Sequence, residues 1–145
     1  MCNRTNDQQN AASGRKIRVV LVDDFKAFRD FAAGALSAEA EIEVVAQAAS
    51  GREGIEAVCA HMPDLVVLDI GLPDLCGIDV AHVVRKSAPQ TRIVFLTQMS
   101  TPEVIAAAME TGAMAYVVKQ NAHSDFLRAV RAALAGEQFV SNTLD

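Results

Sequence analysis

Asp23 and Asp24, Asp69, Thr97 and Lys119 each follow directly on a short apolar run of this 145-residue chain. Three carboxylates, a hydroxyl and an ammonium are the parts of a site that handles phosphate through a hard metal ion. Carboxylates brought close together repel unless a cation sits among them, and oxygen-only ligands suit Mg²⁺, whereas zinc would call for His or Cys. Asp23 and Asp24 are expected to hold the ion. Asp69 is the expected nucleophile, because it ends the central run and opens the loop 70–77, where Gly71 lets backbone approach a metal. Lys119 offers a compact charge and Thr97 a donor to an incoming phosphoryl group.

Residues so far apart in sequence can meet only if the fold gathers the ends of the runs that precede them. The runs are Ile17–Val22, Ile42–Ala48, Leu65–Leu68, 93–96 and Ala115–Val118, each continuous in apolar character and not alternating. That is the pattern of strands buried on both faces of a parallel sheet. Helical spacing separates them: Phe28, Phe31, Ala32, Ala35 and Leu36; Ile55, Val58, Cys59 and Met62; Val80, Val83 and Val84; Val104, Ile105, Ala108 and Met109; Leu127, Val130 and Leu134. Ser50 with Glu53 reads as a capping box, Thr101-Pro102-Glu103 as a helix start, Ser124-Asp125 as the start of the last helix, and Gly112 and Gly136 as helix ends. Five strands alternating with five helices predict a doubly wound α/β domain with a five-stranded parallel sheet. Ligands of such folds bind beyond the carboxyl ends of the strands, where the five chemical residues stand.

Composition narrows the function. Hydrophobic residues make up 51% and charged residues 21%, as in a packed globule, and 13 Lys+Arg against 18 Asp+Glu give a net charge of −5. That balance argues against a basic nucleic-acid surface. No apolar run approaches the ~18 residues of a membrane span, and the polar start shows no signal segment, so a cytoplasmic protein is expected. Cys2, Cys59 and Cys76 form no C-x-x-C pair, and His61, His82 and His123 share no metal spacing. Residues 1–16 are too polar to offset their ordering entropy and read as a disordered tail, 17–136 as the domain, and 137–145 as an extension or the start of a linker.

Four segments, taken in order, resemble the receiver domain of two-component response regulators. They are Val-Asp-Asp at 22–24, Pro-Asp-Leu-Val-Val-Leu-Asp-Ile-Gly-Leu-Pro-Asp-Leu-Cys-Gly-Ile-Asp at 63–79, Val-Phe-Leu-Thr at 94–97 and Gly-Ala-Met-Ala-Tyr-Val-Val-Lys at 112–119. The resemblance implies the flavodoxin-like receiver fold with strand order 2-1-3-4-5. It also implies Mg²⁺-dependent transfer of a phosphoryl group from a sensor histidine kinase to Asp69, with Asp23, Asp24, Asp69 and the Gly71 carbonyl around the metal. Thr97 and Tyr116 would form a switch pair, the ring turning inward, with Lys119 on the phosphoryl group. The outer face of the fourth helix, fifth strand and fifth helix would be a phosphorylation-sensitive dimer surface. Segments 23–29 and 135–141 resemble the NarL/FixJ-type subgroup, in which DNA is bound through a helix-turn-helix output domain; none is expected within these 145 residues.

Gln98, Met99 and Gln120 depart from or modulate the family pattern. Gln120 replaces the usual proline after the lysine, which makes a cis peptide there unfavourable by ~3 kcal/mol. Gln98 stands where the family prefers a small residue and is expected to crowd or bond into the phosphoryl pocket. Gly71 and Met99 occupy the positions that steer water onto an aspartyl phosphate, and neither can orient it, so slow self-dephosphorylation is expected. An aspartyl-phosphate phosphohydrolase would want an acid at position 71, and a nucleotide binder would want a glycine-rich loop where Asp23 and Asp24 stand. A signalling domain, not an enzyme, is the reading; the alternatives are a stand-alone receiver and a receiver-like interaction domain that is not phosphorylated.

Overall fold

A computed structural model describes residues 15–142. The polar tail read over 1–16 therefore lies outside the described residues except for its last two positions. The strands are β1 (Ile17–Val22), β2 (Ile42–Ala48), β3 (Leu65–Leu68), β4 (Arg92–Thr97), β5 (Ala115–Val118) and β6 (Phe139–Val140). Between them run α1 (Lys26–Ser37), α2 (Gly51–His61), α3 (Gly77–Ser87), α4 (Pro102–Glu110) and α5 (Ala122–Leu134). The strands form one parallel sheet in the order β2-β1-β3-β4-β5-β6.

Continuous apolar runs are needed because both sheet faces are covered. Val20, Val22, Val66, Leu68 and Phe95 face α2, α3 and α4, while Val19, Leu21, Val67, Val94 and Val117 face α1 and α5. Each such aliphatic side chain, buried completely, contributes about 1.5–3 kcal/mol. Val80 and Val84 of α3 are buried as the spacing predicts, whereas Val83 is 39% exposed. In α5 the buried stripe is Phe126, Ala129, Val130 and Ala133, with Leu127 and Leu134 at its flanks.

The sheet has six strands, one more than the sequence reading. Gly136, at φ +80°, turns the chain off α5, and Phe139–Val140 then pairs in parallel with Ala115 and Tyr116. A two-residue strand leaves no apolar run to detect. A second correction concerns the start of α5. The helix begins at Ala122, after a 3-10 turn over Lys119–Asn121, and Ser124 does not cap it but donates to the Asn121 carbonyl at 3.1 Å. The other caps form as read: Ser50 Oγ accepts from Glu53 N at 3.2 Å, and Thr101 Oγ1 accepts from Val104 N at 3.4 Å. All peptides among the described residues are trans, Lys119–Gln120 included.

Candidate functional site

The sheet ladders run one residue past the strands and carry two carboxylates side by side. Asp23 N donates to the Ala48 carbonyl and Asp69 N to the Val22 carbonyl, each at 3.0 Å. Each acid is then folded back on its own loop. Asp23 Oδ1 accepts from Phe25 N at 2.9 Å, and Asp69 Oδ1 accepts from Ile70 N at 2.7 Å and Gly71 N at 3.4 Å. The other oxygen of each is left for Lys119, whose Nζ lies 2.8 Å from Asp23 Oδ2 and 3.1 Å from Asp69 Oδ2.

All three of these groups are at most 6% exposed. Burial pushes the Asp23 carboxyl above its ordinary pKa and the charge of Asp69 adds to this, while Lys119 and the Phe25 N–H pull the other way. Asp24 is exposed at the rim, and one oxygen of each of Asp23, Asp24 and Asp69 lies within 4.8 Å of the others. Three acids against one lysine leave an excess of negative charge, and the donors are all oxygen. Such a set fits a hard divalent ion of the Mg²⁺ kind.

Thr97 and Tyr116 stand on the neighbouring strands. Thr97 is buried, pairs with Val118 across β4 and β5, and accepts from Met99 N at 3.5 Å. The β3–β4 register aligns Leu68 with Phe95, which sets Asp69 beside Leu96, one residue before Thr97. The Tyr116 ring is fully buried, with its hydroxyl donating to the Met99 carbonyl at 2.8 Å. Burial, and next to it the charge of Asp69, pushes its pKa up to about 12. Gly71, Gln98, Met99 and Gln120 are all exposed. Gly71 and Met99 face each other, a Cβ built on the glycine lying 3.9 Å from Met99 Cε.

Several contributors escaped the sequence reading. Lys119 Nζ sits 4.3 Å from the centroid of the Phe28 ring and 5.0 Å from that of Phe25, where the rings' negative faces hold a cation. Both rings lie in the 23–29 segment, but a ring–ammonium contact has no spacing signature. Gly77 is fixed by close approach: a Cβ there would lie 2.0 Å from the Asp69 carbonyl oxygen. Asp74 accepts from Gly51 N at 2.7 Å and Arg52 N at 2.9 Å, which ties the loop after β3 to the first turn of α2 and holds its carboxyl below the ordinary range. Asp74 stands within the 63–79 segment, but its partners on α2 have no spacing signature.

Comparison with known proteins gives the arrangement a lineage. The family model for the response regulator receiver domain matches residues 19–131. The chain is 31% identical over 129 residues to the "Probable transcriptional regulatory protein NarL" of Mycobacterium tuberculosis, covering 89% of this chain and 60% of that protein. It is 32% identical over 121 residues to "Response regulator protein VraR" of Staphylococcus epidermidis, covering 83% and 58%. It thus spans about 60% of the length of these curated relatives. Among solved structures, a two-component response regulator of the LuxR family from Aurantimonas sp. SI85-9A1 superposes with TM-score 0.81 at 30% identity, covering 86% of this chain and 89% of that one. No helix among the described residues is long and apolar enough to cross a membrane. With sheet order, acidic cleft and family match in agreement, the chain belongs to the response regulator receiver domain family.

Proposed function

We propose that this domain is a phosphorylation-driven switch of a cytoplasmic two-component system, with Asp69 as phosphoacceptor. An oxygen of the Asp69 carboxylate attacks the phosphorus of a phosphohistidine on a sensor kinase. The N–P bond breaks and its electron pair returns to the imidazole. Mg²⁺, held by Asp23, Asp24, Asp69 and the Gly71 carbonyl, would neutralise charge on the phosphoryl oxygens. Lys119 is the counter-charge already at Asp69, Thr97 the hydroxyl that reaches the phosphoryl group, and Tyr116, whose ring is already turned inward, its partner in the switch pair. Shifting a switch from about 1:99 to 99:1 takes roughly 5.5 kcal/mol, which the capture of a doubly charged group by Lys119, Thr97 and the ion is of a size to supply.

The output is a changed surface on α4, β5 and α5 that favours a homodimer, and DNA is reached through a helix-turn-helix domain that these residues do not include. The side chains of Gly71 and Met99 offer no group to orient water, which favours a long-lived phosphoaspartate. The observation that carries this reading is the gathering of Asp23, Asp24 and Asp69 around one buried lysine. Incubation with acetyl phosphate and Mg²⁺ should add one phosphoryl mass to the intact protein, lasting minutes or more, and none to Asp69→Ala. An unmodified wild type that also ignores beryllofluoride would point instead to a fixed, phosphorylation-independent interaction domain.

A further inference from the structure

Residues 139–142 lie beyond the stretch that the family model matches, yet they are bonded to the strand that delivers Lys119. Phe139 N donates to the Met114 carbonyl at 3.0 Å and Ser141 N to the Tyr116 carbonyl at 2.9 Å. Val118 N donates to Ser141 Oγ at 3.2 Å, and Ser141 Oγ donates to Asp125 Oδ2 at 2.8 Å. The second Asp125 oxygen lies 3.2 Å from Ser124 Oγ and 3.6 Å from Arg128, and Asn121 Nδ2 donates to the Asn142 carbonyl at 3.1 Å. Ser141 is 4% and Asp125 8% exposed. Buried hydroxyl and carboxylate groups are costly unless paired, so the Ser141–Asp125 bond favours the docked β6 beyond its backbone pairing.

The bonds fall at positions 116, 118 and 121, on both sides of Lys119. We infer that Ser141 and Asp125 are positioning residues for phosphoryl binding. The docked β6 fixes the backbone that flanks Lys119, and the ammonium is thereby aimed at Asp69 before an anionic ligand arrives. This rests on the phosphoacceptor reading above. Preorganisation of this kind is reciprocal: if docking of β6 strengthens phosphoryl binding, phosphoryl binding strengthens docking by the same factor.

The test uses the full chain with Mg²⁺ and beryllofluoride as the phosphoryl mimic. Ser141→Ala and Asp125→Asn should bind the mimic about fivefold to tenfold more weakly, with Ser141→Thr recovering most of the loss. Affinity for Mg²⁺ alone should stay at the wild-type value, because no carboxylate of the cleft is changed. In the wild type, the mimic should slow hydrogen exchange at the Val118 and Ser141 amides. Equal mimic affinity in Ser141→Ala and wild type overturns the inference. So does unchanged exchange at those two amides on mimic binding, a measurement that needs no variant to fold. A wild type that binds no mimic at all overturns the phosphoacceptor reading and this inference with it.

Discussion

The two halves of the cleft are held by different kinds of bond. On the β1 and β3 side, Asp23 and Asp69 are continuations of the sheet ladder, their carboxylates are pinned by loop N–H groups, and Gly77 packs against the Asp69 carbonyl with no room for a Cβ. On the β4 and β5 side, Thr97 is met by a single 3.5 Å contact from Met99 N, and Tyr116 by one hydroxyl bond to the same residue's carbonyl. The backbones of both sides are paired in the sheet, but the Thr97 and Tyr116 side chains are each held by a single hydrogen bond with a net value of about 0.5–1.5 kcal/mol, whereas each acid is held by loop N–H groups and by Lys119 together. A phosphorylation switch of the kind proposed would keep its acidic corner fixed and rearrange the side that senses what the corner holds.

The contrast is most easily broken at Gly77. A methyl group there would meet backbone atoms, the Asp69 oxygen at 2.0 Å and Ile70 Cα at 2.6 Å, neither of which can turn aside as a side chain can. Gly77→Ala should cost about 4 kcal/mol of stability by urea unfolding, the size that marks backbone displacement and not surface change. Gly34→Ala is its control: nothing lies within 4 Å of that Cβ in mid-helix, and the variant should gain up to about 1 kcal/mol. A Gly77→Ala protein as stable as wild type would mean that the acidic corner is not rigid.

Lys119 joins the two halves, and its removal should come next in size. Lys119→Met leaves Asp23 and Asp69 buried beside each other without their shared cation. Breaking a buried pair from one side costs about 3 kcal/mol. Mg²⁺ should restore more stability to this variant than to wild type, since the ion would replace the missing charge. Urea midpoints with and without Mg²⁺ measure both, and an equal Mg²⁺ response in the two proteins would argue that Lys119 does not compete for the same charge.

Much of the rigid half could be read from the sequence. A strand buried on both faces must be continuously apolar, so each run announced itself, and an acid directly after such a run can lie only at the sheet edge. Lys119 and Thr97 were legible for the same reason. What stayed hidden depends on partners distant in sequence and without periodic spacing. The two-residue β6 is a strand only because β5 lies alongside it. Ser124 and Asp125 obey the local grammar of a helix start, yet Asp125 is turned inward to Ser141. Phe25, Phe28 and Gly77 stood inside recognisable segments, but what they touch follows from the packing alone.

The smallest expected effect is on pH, where Asp23 and Asp74 pull in opposite directions. Asp74 is held below the ordinary carboxylate value of 3.8 by the N–H groups of Arg52 and Gly51, so its ionised form favours the folded state. Its contribution is complete above that value and is lost as pH falls below it. Asp23 is raised, chiefly by burial, so its ionised form penalises the folded state and protonation relieves the penalty as pH falls through its folded pKa. Without divalent ions, stability should therefore climb slightly as pH falls through the folded-state pKa of Asp23 and drop once Asp74 protonates. Asp23→Asn should flatten the climb and Asp74→Asn should soften the drop, in urea midpoints taken between about pH 3 and pH 7. Mg²⁺ should also erase the climb, because the ion requires Asp23 ionised. Parallel acid limbs in Asp74→Asn and wild type would show that the tie between the β3 loop and α2 bears no share of the corner's rigidity.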